Sequence, residues 1–167
     1  MKKFREERNE FIAEGHKLVM DLVSSKLKIK SLYCIDIWFA ENSALLAGKP
    51  FPVEVISIRE MDRISQLTTP GPVLAVVHIP DLPVSPPLAM PDGETLILAL
   101  DDIRDPGNFG TIIRIADWFG IHHVVASENC VDLYNPKTVQ ATMGSVARVM
   151  VYSVNLVSWL HQHRFST

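Results

Sequence analysis

Between Leu100 and Ile121 the chain reads LDDIRDPGNFGTIIRIADWFGI, the stretch richest in groups that could act on a ligand. It opens on the end of an apolar run. A buried strand should therefore give way to a short polar loop, which is where open parallel sheets carry their sites. The loop offers Asp101, Asp102, Arg104, Asp105 and Asn108, and Arg114 follows Asn108 by six positions. A carboxamide can orient a hydroxyl or a guanidinium, and an arginine can grip a phosphate through two parallel N–H bonds. A helix is expected over Phe109–Phe119, with Ile112, Ile115, Ala116 and Phe119 on one apolar stripe. Arg114 lies about 200° around that helix from Ile112, off the stripe and free to face a cleft.

Plainer readings stand beside these. Asn108 has the side chain of a helix N-cap. Arg114 could pair with Asp117 three positions on. The loop carries a G-N-F-G step and no G-x-G-x-x-G, which disfavours dinucleotide binding, and there is no G-x-S-x-G elbow. Arg104 and Lys137 are further candidates for contact with a phosphate-bearing ligand, as are Lys26, Lys28 and Lys30, each equally readable as solvated charge. Thr142, Met143 and Gly144 could border a cofactor pocket, because glycine permits close backbone approach, or could simply turn the chain. His122 and His123 are adjacent on an expected strand and so point to opposite faces. His161 and His163 lack partners at ligand spacing, so no metal site is expected. Cys34 and Cys130 stand far apart without C-x-x-C spacing and read as buried, reduced thiols of a cytosolic protein.

The elements that must position these groups fall into two blocks. Residues 4–24 carry Phe11, Ile12, Leu18, Val19, Leu22 and Val23 at helical spacing. Strands are expected at Leu32–Ile37, Pro52–Ile58 and over PVLAVVHI, with short helical stretches ENSALLAG and REMDRISQL between them. Five prolines from Pro80 to Pro91 then make a stiff, extended linker. After it, Thr95–Asp102 is a continuous apolar strand of the type covered on both faces. The Phe109–Phe119 helix follows, then a strand HHVVAS and a helix from Pro136. The chain turns at Gly144 into a strand VMVYSV, and LVSWLHQH starts a last helix. This alternation predicts a parallel sheet. The domains expected are residues 1–77, a linker at 78–94, and residues 95–167.

Charge is nearly balanced: 16 Lys and Arg against 19 Asp and Glu, a net of −3. The balance is local, however. Residues 1–30 hold 8 basic and 5 acidic side chains, whereas residues 77–167 hold 5 and 9. Any phosphate-binding surface is expected near the N-terminus. No run of 18 or more apolar residues appears, and the charged start MKKFREERNEF is unlike a signal peptide. A cytoplasmic protein without a membrane segment is the expectation.

The stretch DDIRDPGNFGTIIRIADWFG resembles the first motif of the SpoU family of RNA 2′-O-methyltransferases (TrmH-like, SPOUT superfamily), a D-P-x-N-x-G-x-x-x-R-x-A-x-x-F-G pattern. FIAEGHKLVMDLV and TPGPVLAVVHIP resemble that family's N-terminal RNA-binding domain, itself related to small ribosomal proteins. NPKTVQATMGSVARVMV resembles the segment between its first and second motifs. The resemblance implies a small α/β/α RNA-binding domain followed by the N-terminal part of a parallel-sheet, knotted methyltransferase domain. It implies S-adenosylmethionine as methyl donor, a ribose 2′-hydroxyl of rRNA or tRNA as acceptor, and a homodimer with the site at the subunit interface. The motif's Asn and Arg match Asn108 and Arg114.

The family's Gly-rich second motif and its I-P-M-type third motif find no match before residue 167. A chain stopping short of the knot, with an incomplete cofactor pocket, is therefore expected. Two alternatives follow: a non-catalytic RNA-binding module derived from such an enzyme, and, behind it, an unrelated nucleotide-binding α/β protein.

Overall fold

The computed structural model describes residues 2–83 and 96–162, and the chain divides into two compact units, Met1–Pro80 and Asp81–Thr167. Most of the expected proline linker, from residue 84 on, and the final five residues lie outside the described residues.

The first unit runs α1 (Lys2–Arg8), β1 (Glu10–Glu14), α2 (His16–Val23), β2 (Ile29–Cys34), α3 (Asp36–Leu46), β3 (Val53–Val55), α4 (Ile58–Ile64) and β4 (Val73–His78). Its sheet has the order β1-β4-β2-β3; β4 is antiparallel to both neighbours, and β2 and β3 are parallel. The single helix expected over residues 4–24 is instead helix, strand and helix. Asn9 (φ 54°) and Gly15 (φ 94°) adopt left-handed backbone that no α-helix contains, and they bracket the five residues of β1. Within β1, Phe11 and Ala13 are buried while Glu10 and Ile12 are half-buried, an alternation of period two. Pairing with β4 satisfies the backbone there, so tertiary contact outweighs the local helical pattern. Strand β2 starts at Ile29, earlier than expected, and ends at Cys34 rather than Ile37 because Asp36 already opens α3.

Helix α2 buries Leu18, Val19, Leu22 and Val23, α3 buries Trp38, Asn42 and Leu46, and α4 buries Met61. The entry to α4 is closed by a capping box: Ser57 Oγ accepts from the Glu60 amide, and the Glu60 carboxylate accepts from the Ser57 amide at 2.8 Å. These bonds from Ser57 hold the Glu60 carboxyl below the usual carboxylate range.

The second unit runs β5 (Ile97–Leu100), α5 (Pro106–Trp118), β6 (His123–Ser127), α6 (Pro136–Ala141), a 3₁₀ turn (Ser145–Ala147), β7 (Met150–Val154) and α7 (Leu156–Gln162). Its three strands are parallel in the order β5-β6-β7. The strand buried on both faces is the central β6, every residue of which is buried. In β5, by contrast, Ala99 is exposed and only Leu100 is fully buried. The apolar run of β5 thus did not report two-sided cover. In this sheet that cover goes to the strand with neighbours on both sides.

Helix α5 corrects the expected stripe. Its buried face is Phe109, Gly110, Ile113 and Ala116. Ile115, Trp118 and Phe119 are 50%, 86% and 74% exposed. The reason is the close approach of α6. A Cβ built on Gly110 would stand 2.6 Å from the Ala141 Cβ and 2.6 Å from the Thr138 carbonyl oxygen. Gly110 fixes the face of α5 that meets α6, so Phe109, Ile113 and Ala116 go inside with it and Ile115, Trp118 and Phe119 are turned outward.

At the N-terminal end of this sheet, His123 is buried and stacks on Tyr152, with Nδ1 3.3 Å from the Tyr152 hydroxyl. Burial, and then the charge of His122, pushes the His123 imidazole below its ordinary value of 6.5. The unfolded chain therefore takes up a proton that the folded chain refuses. Stability from this group is complete above pH 6.5 and is lost as pH falls toward the depressed folded value. Denaturant midpoints are expected to drop between pH 7.5 and 5.5, and His123→Gln should flatten that slope. In the same assay Gly110→Ala is expected to cost about 1–3 kcal/mol by overpacking against α6.

Candidate active site

The loop after β5 is shaped by backbone before any side chain enters the argument. Asp102 sits at φ 52°, which turns the chain sharply off the strand. The Asp102 amide donates to Ser127 Oγ at 3.0 Å, the Ile103 amide to Cys130 Sγ at 3.3 Å, and the Val131 amide to the Ile103 carbonyl at 2.9 Å. These bonds hang the loop from the C-terminal end of β6. Cys130 is half-buried, whereas Cys34 is fully buried, which pushes its thiol up and leaves it inert.

Helix α5 then begins at Pro106, and its N-cap is Asp105. Asp105 Oδ1 accepts from the Asn108 amide at 2.7 Å. This corrects the capping role considered for Asn108. Pro106 fits the first helical position and places the cap one residue earlier. The D-P pair at 105–106 is the signal that could have located it. Asn108 is instead the third helical residue, exposed, and its carboxamide has no partner among the described residues.

Loop and helix enclose an open cleft of about 410 Å³, lined by Asp102 to Asp105 and by Asn108, Thr111 and Ile112. Arg114 does not line it. On an ideal helix Arg114 and Asn108 point roughly 120° apart, with Thr111 between them. Arg114 is exposed and makes no ion pair among the described residues. Its expected alternative partner is taken: Arg148 Nε lies 2.9 Å and 3.1 Å from the two Asp117 oxygens, and Ser145 Oγ donates to the same carboxylate at 2.7 Å. Burial alone would raise the Asp117 carboxyl. The bonds from Arg148 and Ser145, with the charges of Arg148 and His122, more than offset this and hold it below the usual carboxylate range. Spacing within α5 gave no hint of this partner, which comes from 31 residues away.

The remaining candidates scatter. Arg104 borders the cleft, but its Nε is bonded to Asp102 at 2.7 Å, which raises the guanidinium further. Lys137 is exposed in the first turn of α6, where Asn135 is the cap. Thr142, Met143 and Gly144 form the turn after α6 and do not line the cleft. The Thr142 hydroxyl is buried and donates to the Val139 carbonyl at 2.7 Å. Met143 is 41% exposed, and Met143 and Gly144 both have positive φ, 51° and 97°. In the first unit Lys26, Lys28 and Lys30 are exposed, but Lys30 Nζ is 2.6 Å from the Glu10 carboxylate, which neutralises it. Among the described residues no group of three or more His, Cys, Asp or Glu side chains could hold a metal ion, and no helix is long and apolar enough to cross a membrane.

A parallel sheet with an open cleft at the C-terminal end of its strands, joined to a separate mixed α/β unit, defines a two-unit α/β protein whose cleft lies at a strand–helix loop, where open parallel sheets carry their sites. Residues 95–166 match the SpoU rRNA Methylase family, and residues 1–75 match the MRM3-like substrate binding domain. The chain is 29% identical over 163 residues to mouse mitochondrial rRNA methyltransferase 3, covering 93% of this chain and 37% of that protein. It is 27% identical over 163 residues to the 23S rRNA (guanosine(2553)-2'-O)-methyltransferase RlmP of Bacillus subtilis, covering 96% and 61%. An AdoMet-bound rRNA methyltransferase from Sinorhizobium meliloti superposes with a TM-score of 0.77 at 32% identity, covering 96% of this chain and 60% of that one. Residues 95–166 are thus a SpoU methylase domain, and an MRM3-like substrate binding domain over residues 1–75 precedes it. The chain spans from about a third to three fifths of the length of these relatives.

If Asp105 rather than Asn108 caps α5, Asp105→Ala should lower stability by about 1 kcal/mol. Asn108→Ala, removing an exposed carboxamide, should change it by less than about 0.5 kcal/mol. Chemical denaturation of the two variants side by side decides between the two caps.

Proposed function

We propose that this chain forms part of an enzyme that transfers a methyl group from S-adenosylmethionine to a ribose 2′-hydroxyl of rRNA. The observation that carries the reading is the pair Asn108, in the first turn of α5, and Arg114, two turns further on, both exposed and without a partner among the described residues. In a SpoU methylase domain these two positions match the first motif.

Because the two side chains diverge around the helix, they serve different groups of one nucleotide. Arg114 holds the phosphate beside the target ribose through two parallel N–H bonds and stabilises negative charge developing on the 2′-oxygen. A guanidinium stays protonated in proteins, so Arg114 is an electrostatic clamp and not the base. Asn108, on the cleft wall, orients the ribose by accepting from or donating to its hydroxyls. When bound, S-adenosylmethionine supplies an electrophilic methyl group on a sulfonium. Among the described residues the turn after α6 meets such a molecule through Met143, whose thioether and methylenes are exposed, whereas Gly144 is buried. The Thr142 hydroxyl is already committed to Val139 and takes no part.

Substrate RNA is held mainly by the first unit. There Lys26 and Lys28 are exposed, and no ion pair among the described residues engages them. The outward stripe of Ile115, Trp118 and Phe119 on α5 supports a homodimer, since a monomer gains nothing by exposing two adjacent aromatic rings. The expected compartment is the cytoplasm.

In the protein that carries this chain, Arg114→Lys keeps the charge and loses the fork. It should lower kcat for rRNA methylation about 10²–10³-fold. Near-normal turnover by that variant sinks the clamp. Calorimetric titration with S-adenosylmethionine addresses the non-catalytic alternative: retained RNA binding without saturable donor binding would favour a binding module.

A further inference from the structure

The hydrogen bonds that suspend the cleft loop come from side chains that no sequence motif singled out. Ser127, the last residue of β6, accepts from the Asp102 amide at 3.0 Å. Three residues on, Cys130 Sγ accepts from the Ile103 amide at 3.3 Å and lies 3.6 Å from the Leu100 carbonyl oxygen, to which it donates. Two backbone bonds close the ring: Cys130 N to the Ser127 carbonyl at 2.9 Å and Val131 N to the Ile103 carbonyl at 2.9 Å. Together they fix both residues at the point where the chain leaves β5 and Asp102 enters left-handed backbone. From there the chain has only Arg104 and Asp105 before α5 begins and carries Asn108 into the cleft wall.

We propose that Ser127 and Cys130 are positioning residues for the reaction, holding the Asp102–Asp105 loop in the one conformation that aims the start of α5, and with it Asn108, at the acceptor ribose. The argument is one of satisfaction and geometry. The amides of Asp102 and Ile103 point off the strand toward β6, where Ser127 and Cys130 supply acceptors in place of strand partners. Without those acceptors, water must serve them and the loop relaxes outward. A shift of about 1 Å at a group that orients a reacting atom can cost about 100-fold in rate. Neither Ser127 nor Cys130 lines the cleft, so neither touches substrate.

The inference rests on the methyl-transfer reading above, and its test separates the two. In the full-length protein, Ser127→Ala and Cys130→Ala are compared with Cys130→Ser, which keeps a donor and an acceptor at the same place. Amide hydrogen exchange at Asp102 and Ile103 should quicken by about tenfold or more in the alanine variants. Their kcat should fall about 10–100-fold, with KM for S-adenosylmethionine within about twofold. Cys130→Ser should restore both readouts. Unchanged exchange in both alanine variants overturns the anchor, and quickened exchange with unaltered kcat overturns the positioning role. A wild-type protein that methylates no rRNA overturns the proposed function instead, and the exchange measurement still decides the anchor.

Discussion

The second unit depends on the junction where the loop after β5 is bonded to the end of β6. A parallel sheet leaves its strand ends without ladder partners, and each chain reversal there must find bonds elsewhere. Here side chains from the neighbouring strand end supply them: Ser127 Oγ and Cys130 Sγ accept the two amides that follow β5. That arrangement lets Asp102 take a left-handed conformation, which in turn sets where Asp105 caps α5 and where Asn108 emerges. A loop bonded in this way can be polar, exposed and still well defined.

The second constraint is the contact of α5 with α6. Gly110 leaves no room for even a methyl group against Thr138 and Ala141. It decides which face of α5 is inside. With Phe109, Gly110, Ile113 and Ala116 committed inward, Ile115, Trp118 and Phe119 must face out. The same orientation brings Asp117 to Ser145 and Arg148, which take its carboxylate and leave Arg114 without it. Packing, free charge and outward apolar surface are thus consequences of one helix orientation.

Much of the architecture could be read from local pattern. The parallel alternation of the second unit, the turn at Gly144 and the strand ending at His78 all follow from apolar runs punctuated by glycine and proline. The failures have a shared cause. Residues 10–14 satisfy a helical spacing and a strand alternation at once, and only pairing with β4 chooses between them. Ile112, Ile115 and Phe119 satisfy a core stripe as well as Phe109, Ile113 and Ala116 do, and only the approach of α6 chooses. The side chain of Asn108 suits a cap as well as a ligand, and only the D-P step before it marks Asp105 as the cap.

The sequence by itself determined which chemical groups are available: a carboxamide and a guanidinium six positions apart at a strand–helix boundary, and the motif that ties them to the SpoU methylases. Spacing along a chain sets such identities because covalent order is local. Tertiary structure alone decided which of those groups are free to act. Asp117 is claimed by Arg148 and Lys30 by Glu10, whereas Asn108 and Arg114 stay unpaired among the described residues. Whether a side chain is available depends on contacts between residues far apart in sequence, and no periodicity encodes them.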